Sequence, residues 1–242
     1  MNRKSTKGGI ALLKVTPPQT FVRPVKLREF QNMFAHIYNR VNEGYYSIDH
    51  LLSRFVVEVS RIMEASRKDR REQIKILLPR VFSWYNGVAN RLEIDLQESL
   101  WYKYPGICTY CLREKDCSCT TEHDDIPNLQ NILRRLRRDR VGREPILLTE
   151  HQAFHKKLYF RQNDRIMLIQ TVSHIVEEAG EVVDEFYKKN DQGIRDEMAD
   201  VGSWIFATAN KLDLDLDKLI WERYPYECEK CYHDQCVCEQ PV

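Results

Sequence analysis

The sequence predicts an all-α protein built from two similar helical bundles. Three observations support this prediction. Apolar residues recur at helical spacing, no stretch shows sustained strand-like alternation with β-branched enrichment, and the two halves of the chain resemble each other. With 242 residues, 43% of them hydrophobic, the chain is long enough to bury one large core or two small ones.

An internal repeat organises the chain. Leu27, Glu29 and Gln31 in the first half recur as Leu148, Glu150 and Gln152 in the second half. Further identities link the segments that begin at Ser83 and Ser203; they include Trp84 and Trp204, Asn90 and Asn210, Asp95 and Asp215, Trp101 and Trp221, Tyr104 and Tyr224, and Pro105 and Pro225. Such dense identity indicates a tandem duplication of one unit of about ninety residues.

Two apolar stripes place helices in the second copy. The first stripe consists of Ile175, Val176, Ala179, Val182, Val183 and Phe186, and the second of Met198, Val201, Trp204, Ile205, Ala209 and Leu212. Between them the segment KKNDQG, with Gly193, is a stop and turn signal. Asp213 or Asp215 can cap a short helix that ends before Pro225. Each copy is therefore predicted to form a bundle of three or four helices.

The predicted domain organisation has four parts: a flexible arm at 1–26, a first repeat at 27–120, a basic linker at 121–147 and a second repeat at 148–242. The linker carries an arginine cluster that consists of Arg134, Arg135, Arg137, Arg138, Arg140 and Arg143. On a helix this cluster could contact phosphate, but a charge run is usually a solvated face. The net charge of +1 gives no global field for nucleic acid, so nucleic-acid binding is not the favoured interpretation.

The composition predicts a cytoplasmic protein without a membrane partner. No apolar run approaches the roughly 18–20 residues of a membrane helix, and the polar start of the sequence lacks a signal-peptide core. In a reducing compartment, suitably spaced cysteines bind metal more often than they form disulfides.

Eight cysteines form two matched sets of the type CxxC followed by CxC. The first set is Cys108, Cys111, Cys117 and Cys119, and the second is Cys228, Cys231, Cys236 and Cys238. Four thiolates close a tetrahedral zinc site, so two structural zinc ions are predicted. Redox disulfides, free thiols and an Fe–S cluster are weaker interpretations. One zinc per copy and ligand exchange between the copies are both open.

Carboxylates cluster on the two apolar-striped helices of the second copy. Glu177, Glu178 and Glu181 lie on the first helix, and Glu197 and Asp200 on the next. The pairs Glu178–Glu181 and Glu197–Asp200 are three residues apart, so each pair projects from one side of its helix. Glu197 lies inside the edge of the apolar stripe, where an ionised carboxylate is costly unless it is paired or coordinated. Four such oxygen donors suit Mg²⁺.

The pattern EExxE, a spacer and ExxD resembles the MazG-like, all-α NTP pyrophosphohydrolases, which are related to the all-α dUTPases and dCTPases. The resemblance covers roughly residues 148–225 and implies a helical bundle that assembles as a dimer or tetramer. It also implies that Glu178, Glu181, Glu197 and Asp200 hold Mg²⁺, with Glu177 as a neighbouring group, an extra ligand or the base. The implied activity is hydrolysis of a nucleoside triphosphate to the monophosphate and pyrophosphate.

The resemblance also requires a cation for the substrate phosphates. Members of the family often carry Lys and Asn just before a closing YP, whereas the second copy reads KLIWERYP. This departure leaves Lys218 and Arg223 as the candidate phosphate-binding residues. The residues that would recognise the base are open, with Gln152, His155 and the aromatic residues of either copy as candidates.

The first copy lacks the carboxylates. When Trp84 is placed opposite Trp204, Leu77 and Arg80 take the positions of Glu197 and Asp200. For the preceding helix two registers are open; one places Ser53, Arg54 and Val57 opposite the three glutamates, and the other places Val56, Val57 and Ser60 there. Neither register supplies a metal site.

We therefore expect a degenerate copy that forms a pseudo-dimer with the active copy inside one chain, while assembly into a homo-oligomer is open. Arg54 or Arg80 could meet phosphate across the interface, although an arginine without a functional role is the more ordinary interpretation.

The leading functional hypothesis is a Mg²⁺-dependent nucleotide pyrophosphohydrolase whose active site lies in the second repeat. The alternative is a zinc-containing regulatory module that binds nucleic acid or protein and whose helical bundles are catalytically silent. The intact carboxylate set in the second copy, beside its loss in the first, favours the enzyme.

Overall fold

The computed structural model describes residues 21–117, 119 and 126–238. In these ranges the regular structure is helical, apart from an isolated β-bridge between Lys26 and Leu147. The first repeat contains α1 (Leu27–Gly44), α2 (Ile48–Arg67), α3 (Arg71–Arg91) and α4 (Leu96–Lys103). The linker contains α5 (Leu129–Asp139), and the second repeat contains α6 (Leu148–Arg165), α7 (Leu168–Lys188), α8 (Asp191–Lys211) and α9 (Leu216–Arg223). The all-α prediction is confirmed.

The two repeats share local details that a duplicated unit would have. The Gln31 amide donates to the Asn90 side chain and to the Ile94 carbonyl, and Gln152 donates in the same way to Asn210 and the Leu214 carbonyl. Left-handed backbone also recurs at paired positions, namely Asp69 and Lys189, Glu93 and Asp213, and Leu112 and Tyr232. The repeats therefore have matching helices, matching turns and matching side-chain hydrogen bonds.

The turn between α7 and α8 is shorter than the sequence signal indicates. Lys189 adopts a left-handed conformation, and the Asn190 side chain accepts from the Gly193 amide as the N-cap of α8. Gly193 therefore lies in the first turn of α8, because the cap starts the helix before the glycine. At α9 the cap is Asp215, whose side chain accepts from the Lys218 amide.

The core of the molecule is shared between the repeats. Helices α2, α3, α7 and α8 pack together at the centre, with α1 against α3 and α6 against α8. The short last helix of each repeat crosses to the other repeat: α4 lies against α8, and α9 lies against α3. One continuous set of buried residues includes Phe30, Phe55 and Phe82 from the first repeat and Val172 and Ile205 from the second. This arrangement is the pseudo-dimer expected within one chain.

Each cysteine set forms a compact cluster after the last helix of its own repeat. The ligand atoms of each set lie within 4.8 Å of one another. In the first set the Sγ atoms of Cys108 and Cys119 are 3.8 Å apart, and those of Cys111 and Cys117 are 3.7 Å apart. Zinc–sulfur bonds of about 2.3 Å in a tetrahedron require a similar spacing. The clusters fit two zinc knuckles, each formed within one repeat.

Each knuckle docks on the first helix of the opposite repeat. The Cys117 amide donates to the Leu158 carbonyl of α6 over 2.8 Å, and the Cys236 amide donates to the Ile37 carbonyl of α1 over 2.8 Å. Cys108, Cys117 and Leu158 form a small buried cluster of their own. Each knuckle therefore follows the last helix of its own repeat and also links that repeat to the other one.

The connecting segments also make specific contacts. Phe21 stacks on Tyr226 with ring centroids 4.3 Å apart, and Arg23 pairs with Asp217 of α9, so the described end of the predicted arm packs on the second repeat. Residues 1–20 lie outside the described ranges. In the linker, the Arg137 guanidinium lies over the Tyr102 ring at 3.8 Å. No described helix has the length and apolar content needed to cross a bilayer.

Candidate functional site

Helices α7 and α8 bring the predicted carboxylates together. Carboxylate oxygens of Glu178, Glu197 and Asp200 lie within 4.8 Å of one another. Glu181 completes the group, because its carboxyl is hydrogen-bonded to Glu197. The two helices are joined by a two-residue turn, so their i,i+3 pairs face each other across the groove between them. This group of four is called the carboxylate cluster below.

The electrostatics of the carboxylate cluster favour a bound cation. Burial, followed by repulsion from Asp200, Glu181 and Glu197, raises the pKa of Glu178 to about 8. Burial and repulsion from Asp200 raise the pKa of Glu197 to about 7. Burial also raises the pKa of Asp200 above its usual range. Without a counter-ion Glu178 and Glu197 hold protons near neutral pH, whereas a divalent ion would stabilise their charged forms.

The first repeat supplies two further groups to the carboxylate cluster. The Lys103 ammonium lies 2.9 Å from an Asp200 carboxylate oxygen, and the Tyr104 hydroxyl donates to the same carboxylate. Burial opposes the charge on Lys103, but attraction by Asp200, Asp196 and Glu197 outweighs it and raises the Lys103 pKa. Both residues arrive because α4 ends against α8. The site is therefore built from both repeats.

Two stacked rings, one on α7 and one on α8, hold Glu178 in its orientation. The Trp204 indole N–H donates to a Glu178 carboxylate oxygen over 3.2 Å, and the His174 ring stacks on Trp204 at 4.1 Å. Glu177 pairs with His174 over 2.9 Å and its side chain is 59% exposed. The structure thus places Glu177 behind His174, outside the group of four carboxylates that share the groove.

Comparison with known proteins gives one family match. Residues 168–223 match the family profile described as the MazG nucleotide pyrophosphohydrolase domain. The matched segment of the second repeat is called the MazG domain below. The matched span runs from the start of α7 to the end of α9 and includes every member of the carboxylate cluster. The resemblance inferred from the carboxylate motif is confirmed for this span. No curated protein and no solved structure gave a match.

The two cations proposed from the sequence of the MazG domain have other partners. Arg223 donates to Glu229 over 2.6 Å, and Glu229 also lies 3.5 Å from Arg80 of α3. The Lys218 ammonium lies 3.8 Å from Glu222 and is exposed. Since α9 packs on α3, Arg223 faces the first repeat. Lys103 takes the corresponding place beside the MazG domain's carboxylates, and the sequence analysis missed it.

A sequence signal for Lys103 existed. The first copy reads YKYP, with a lysine directly before the YP motif, which is the feature that the second copy lacks. The cross-interface candidates from the first copy, Arg54 and Arg80, lie on α2 and α3, whereas Lys103 ends α4. Only the crossing of α4 onto α8 makes the assignment possible.

The corresponding position of the first repeat holds an ion-pair network. Buried residues of α2 match those of the MazG domain's α7 when Phe55 is paired with Ile175 and Val59 with Ala179. This pairing places Glu58 opposite Glu178, a register that differs from both registers left open by the sequence. Glu58 is fully buried and contacts the guanidinium groups of Arg54, Arg61 and Arg80. In this network Arg61 and Arg80 stand where the MazG domain has Glu181 and Asp200.

Two candidates for base recognition have different surroundings. The Gln152 side chain is already hydrogen-bonded to Asn210 and to the backbone amide at the start of α9. His155 is buried, its Nδ1 faces the His151 carbonyl at 2.8 Å, and its ring meets Tyr104 edge-on at 5.4 Å. Burial lowers the His155 pKa to about 3, so the ring is neutral at physiological pH. His155 therefore adjoins the MazG domain's site through Tyr104.

Proposed function

We propose that the protein is a Mg²⁺-dependent pyrophosphohydrolase that cleaves a nucleoside triphosphate to the monophosphate and pyrophosphate. The observation that carries the proposal is the carboxylate cluster of the MazG domain, where Glu178, Glu197 and Asp200 converge and Lys103 meets them. A nucleotide pyrophosphohydrolase needs both the carboxylates and a nearby cation, since carboxylates alone would repel a triphosphate.

The donor set suits magnesium. All four groups are carboxylates, which Mg²⁺ prefers, and Mg²⁺ keeps sites open for water and phosphate oxygens. Glu178, Glu181, Glu197 and Asp200 are the residues that would hold the ion. When bound, Mg²⁺ would offset the charge of the phosphates and lower the pKa of a water molecule.

The side chains around the cluster have distinct proposed roles. Lys103 offers its ammonium to phosphate oxygens on the side of Asp200 that faces the first repeat. Tyr104 and Trp204 fix the orientations of Asp200 and Glu178 by donating hydrogen bonds to them. Glu177 acts through His174 and Trp204, as a positioning residue.

The proposed reaction consumes one water molecule. A water oxygen forms a bond to a phosphorus of the α–β anhydride, and the bond from that phosphorus to the bridging oxygen breaks. A carboxylate of the cluster accepts the proton that the water loses. The bridging oxygen leaves with one product, so monophosphate and pyrophosphate result.

The test is pyrophosphate release by the purified, zinc-loaded protein with a panel of canonical, deoxy and modified nucleoside triphosphates. We expect release that requires Mg²⁺ and that falls at least about 100-fold in Glu197→Gln, because a metal ligand is lost. Glu64→Gln is the matched control, since Glu64 is an exposed carboxylate of α2 paired with Lys68. If folded wild-type protein hydrolyses no member of the panel, the regulatory interpretation replaces the enzyme.

A further inference from the structure

The first zinc knuckle carries an aromatic residue in the turn between its first two cysteines. Tyr110 lies in this CxxC turn at 108–111, which is closed by a hydrogen bond from the Leu112 amide to the Cys108 carbonyl over 2.9 Å. Tyr110 is 42% exposed, whereas its neighbours Cys108 and Thr109 are buried. The turn therefore holds the Tyr110 side chain where a ligand can pack against it.

The second knuckle shows which part of the opposite repeat a CxxC turn meets. Glu229 takes the position of Thr109 in the second turn, and its carboxylate lies 3.5 Å from Arg80 of α3. Arg80 stands where the second repeat has Asp200. Because the two repeats share their fold, the CxxC turn of the first knuckle is expected beside Asp200.

Packing links the first knuckle to the carboxylate cluster. Tyr159 of α6 packs against the small buried cluster that includes Cys108. The Tyr159 ring also meets the Tyr104 ring edge-on, with centroids 6.0 Å apart, and the Tyr104 hydroxyl donates to Asp200. The knuckle and Asp200 are therefore separated by two aromatic side chains that contact each other.

The charges around Tyr110 agree with this placement. Burial raises the pKa of Tyr110, and repulsion from Asp200 raises it further. Lys103 and Glu178 also act on the Tyr110 hydroxyl, with opposite signs. Since salt screens charges around partly exposed groups beyond about 10 Å, the hydroxyl lies near the carboxylate cluster.

We infer that the base of the nucleotide substrate stacks on Tyr110, so that the first knuckle forms part of the substrate site. This inference rests on the proposed function, in which Lys103 and the carboxylate cluster serve the phosphates. The base is the flat, uncharged end of a nucleotide, and a partly exposed tyrosine ring beside the cluster offers it a stacking surface. The second knuckle has Lys230 at the corresponding position, so of the two turns only the one beside the carboxylates carries an aromatic residue.

The test compares two ligands that share phosphate groups and differ in the base. The probes are a set of α,β-methylene nucleoside triphosphates, whose α–β bridge resists hydrolysis, and inorganic tripolyphosphate, each titrated with Mg²⁺ in a calorimeter. In Tyr110→Leu the affinity for the nucleotide should fall at least about fivefold, because stacking on the base is lost. The affinity for tripolyphosphate should stay within about twofold of wild type, because tripolyphosphate has no base.

Two further variants separate stacking from other effects. Tyr110→Phe keeps the ring and should bind the nucleotide within about threefold of wild type. Lys230→Leu is the matched control in the second knuckle and should leave both affinities unchanged. The zinc content and circular dichroism of each variant show whether its knuckles and helices are intact.

Three results would overturn the inference alone: unchanged nucleotide affinity in Tyr110→Leu, an equal loss of affinity for both ligands, or a loss in Tyr110→Phe as large as in Tyr110→Leu. Wild-type protein that binds no nucleotide would overturn both proposals. Binding is measured here without turnover, so a protein that binds nucleotide through Tyr110 and hydrolyses none refutes the proposed function only.

Discussion

The most informative single substitution is Lys103→Met, because it tests whether the first repeat takes part in chemistry at the second. Met preserves much of the length of the side chain and removes its charge. Lys103 and Asp200 are 2.9 Å apart with side chains 23% and 14% exposed. At an effective dielectric constant of about 20, the attraction at this distance is about 6 kcal/mol before the cost of desolvation. Breaking such a pair typically costs about 3–5 kcal/mol.

Lys103→Met should lose more activity than its loss of folding stability can account for. Loss of one preorganised group that stabilises developing charge typically lowers kcat by about 10²–10³-fold. We expect a fall of about 100-fold in Mg²⁺-dependent pyrophosphate release by Lys103→Met, measured under conditions where circular dichroism shows the variant to be folded. The stability loss should be smaller with Mg²⁺ than without it, because the ion then compensates Asp200.

The matched control is Arg223→Met, at the corresponding position of the second repeat. Arg223 pairs with Glu229, whose side chain is 10% exposed, so this variant also loses a largely buried ion pair. Its activity should remain within about threefold of wild type, since Arg223 faces the first repeat. If Arg223→Met abolishes hydrolysis and Lys103→Met is silent, the composite site is wrong and the phosphate-binding cation comes from the MazG domain itself.

Three further predictions concern protons, zinc and the buried network. Stabilisation by a fixed Mg²⁺ concentration should increase from pH 6 to pH 8.5 in thermal unfolding, because protons held by Glu178 (pKa about 8) and Glu197 (pKa about 7) compete with the ion; a flat profile would contradict this. Cys117→Ser should lower pyrophosphate release more than Cys236→Ser, because only the Cys117 cluster directly follows Lys103 and Tyr104; equal losses at equal zinc content would contradict this. Glu58→Gln should lower the free energy of unfolding in urea by about 3 kcal/mol, because it leaves three arginines without their buried partner; an unchanged value would contradict this.

The sequence predicted those parts of the fold and site that depend on local spacing. Helical periodicity placed α7 and α8, and the i,i+3 spacing of Glu178 with Glu181 and of Glu197 with Asp200 put each pair on one helix face. A short turn between consecutive helices then brings the pairs together, so this half of the site follows from neighbouring residues alone.

The contribution of the first repeat could not be predicted in the same way. Lys103 and Tyr104 reach Asp200 because α4 packs on α8 of the other repeat, and this contact depends on tertiary packing. Periodicity likewise could not decide the register of α2, because neighbouring registers preserve an apolar face. The pattern of buried residues decides the register of α2. In that register the buried Glu58 is the counterpart of Glu178.

The crossed helices explain how a repeat without the carboxylates can still contribute to the proposed site. The last helix of each repeat ends in a cation near the other repeat: Lys103 pairs with Asp200, and Arg223 pairs with Glu229, which also contacts Arg80. In the first repeat Arg61 and Arg80 stand where the second repeat has Glu181 and Asp200, and this difference does not involve Lys103, which lies on α4.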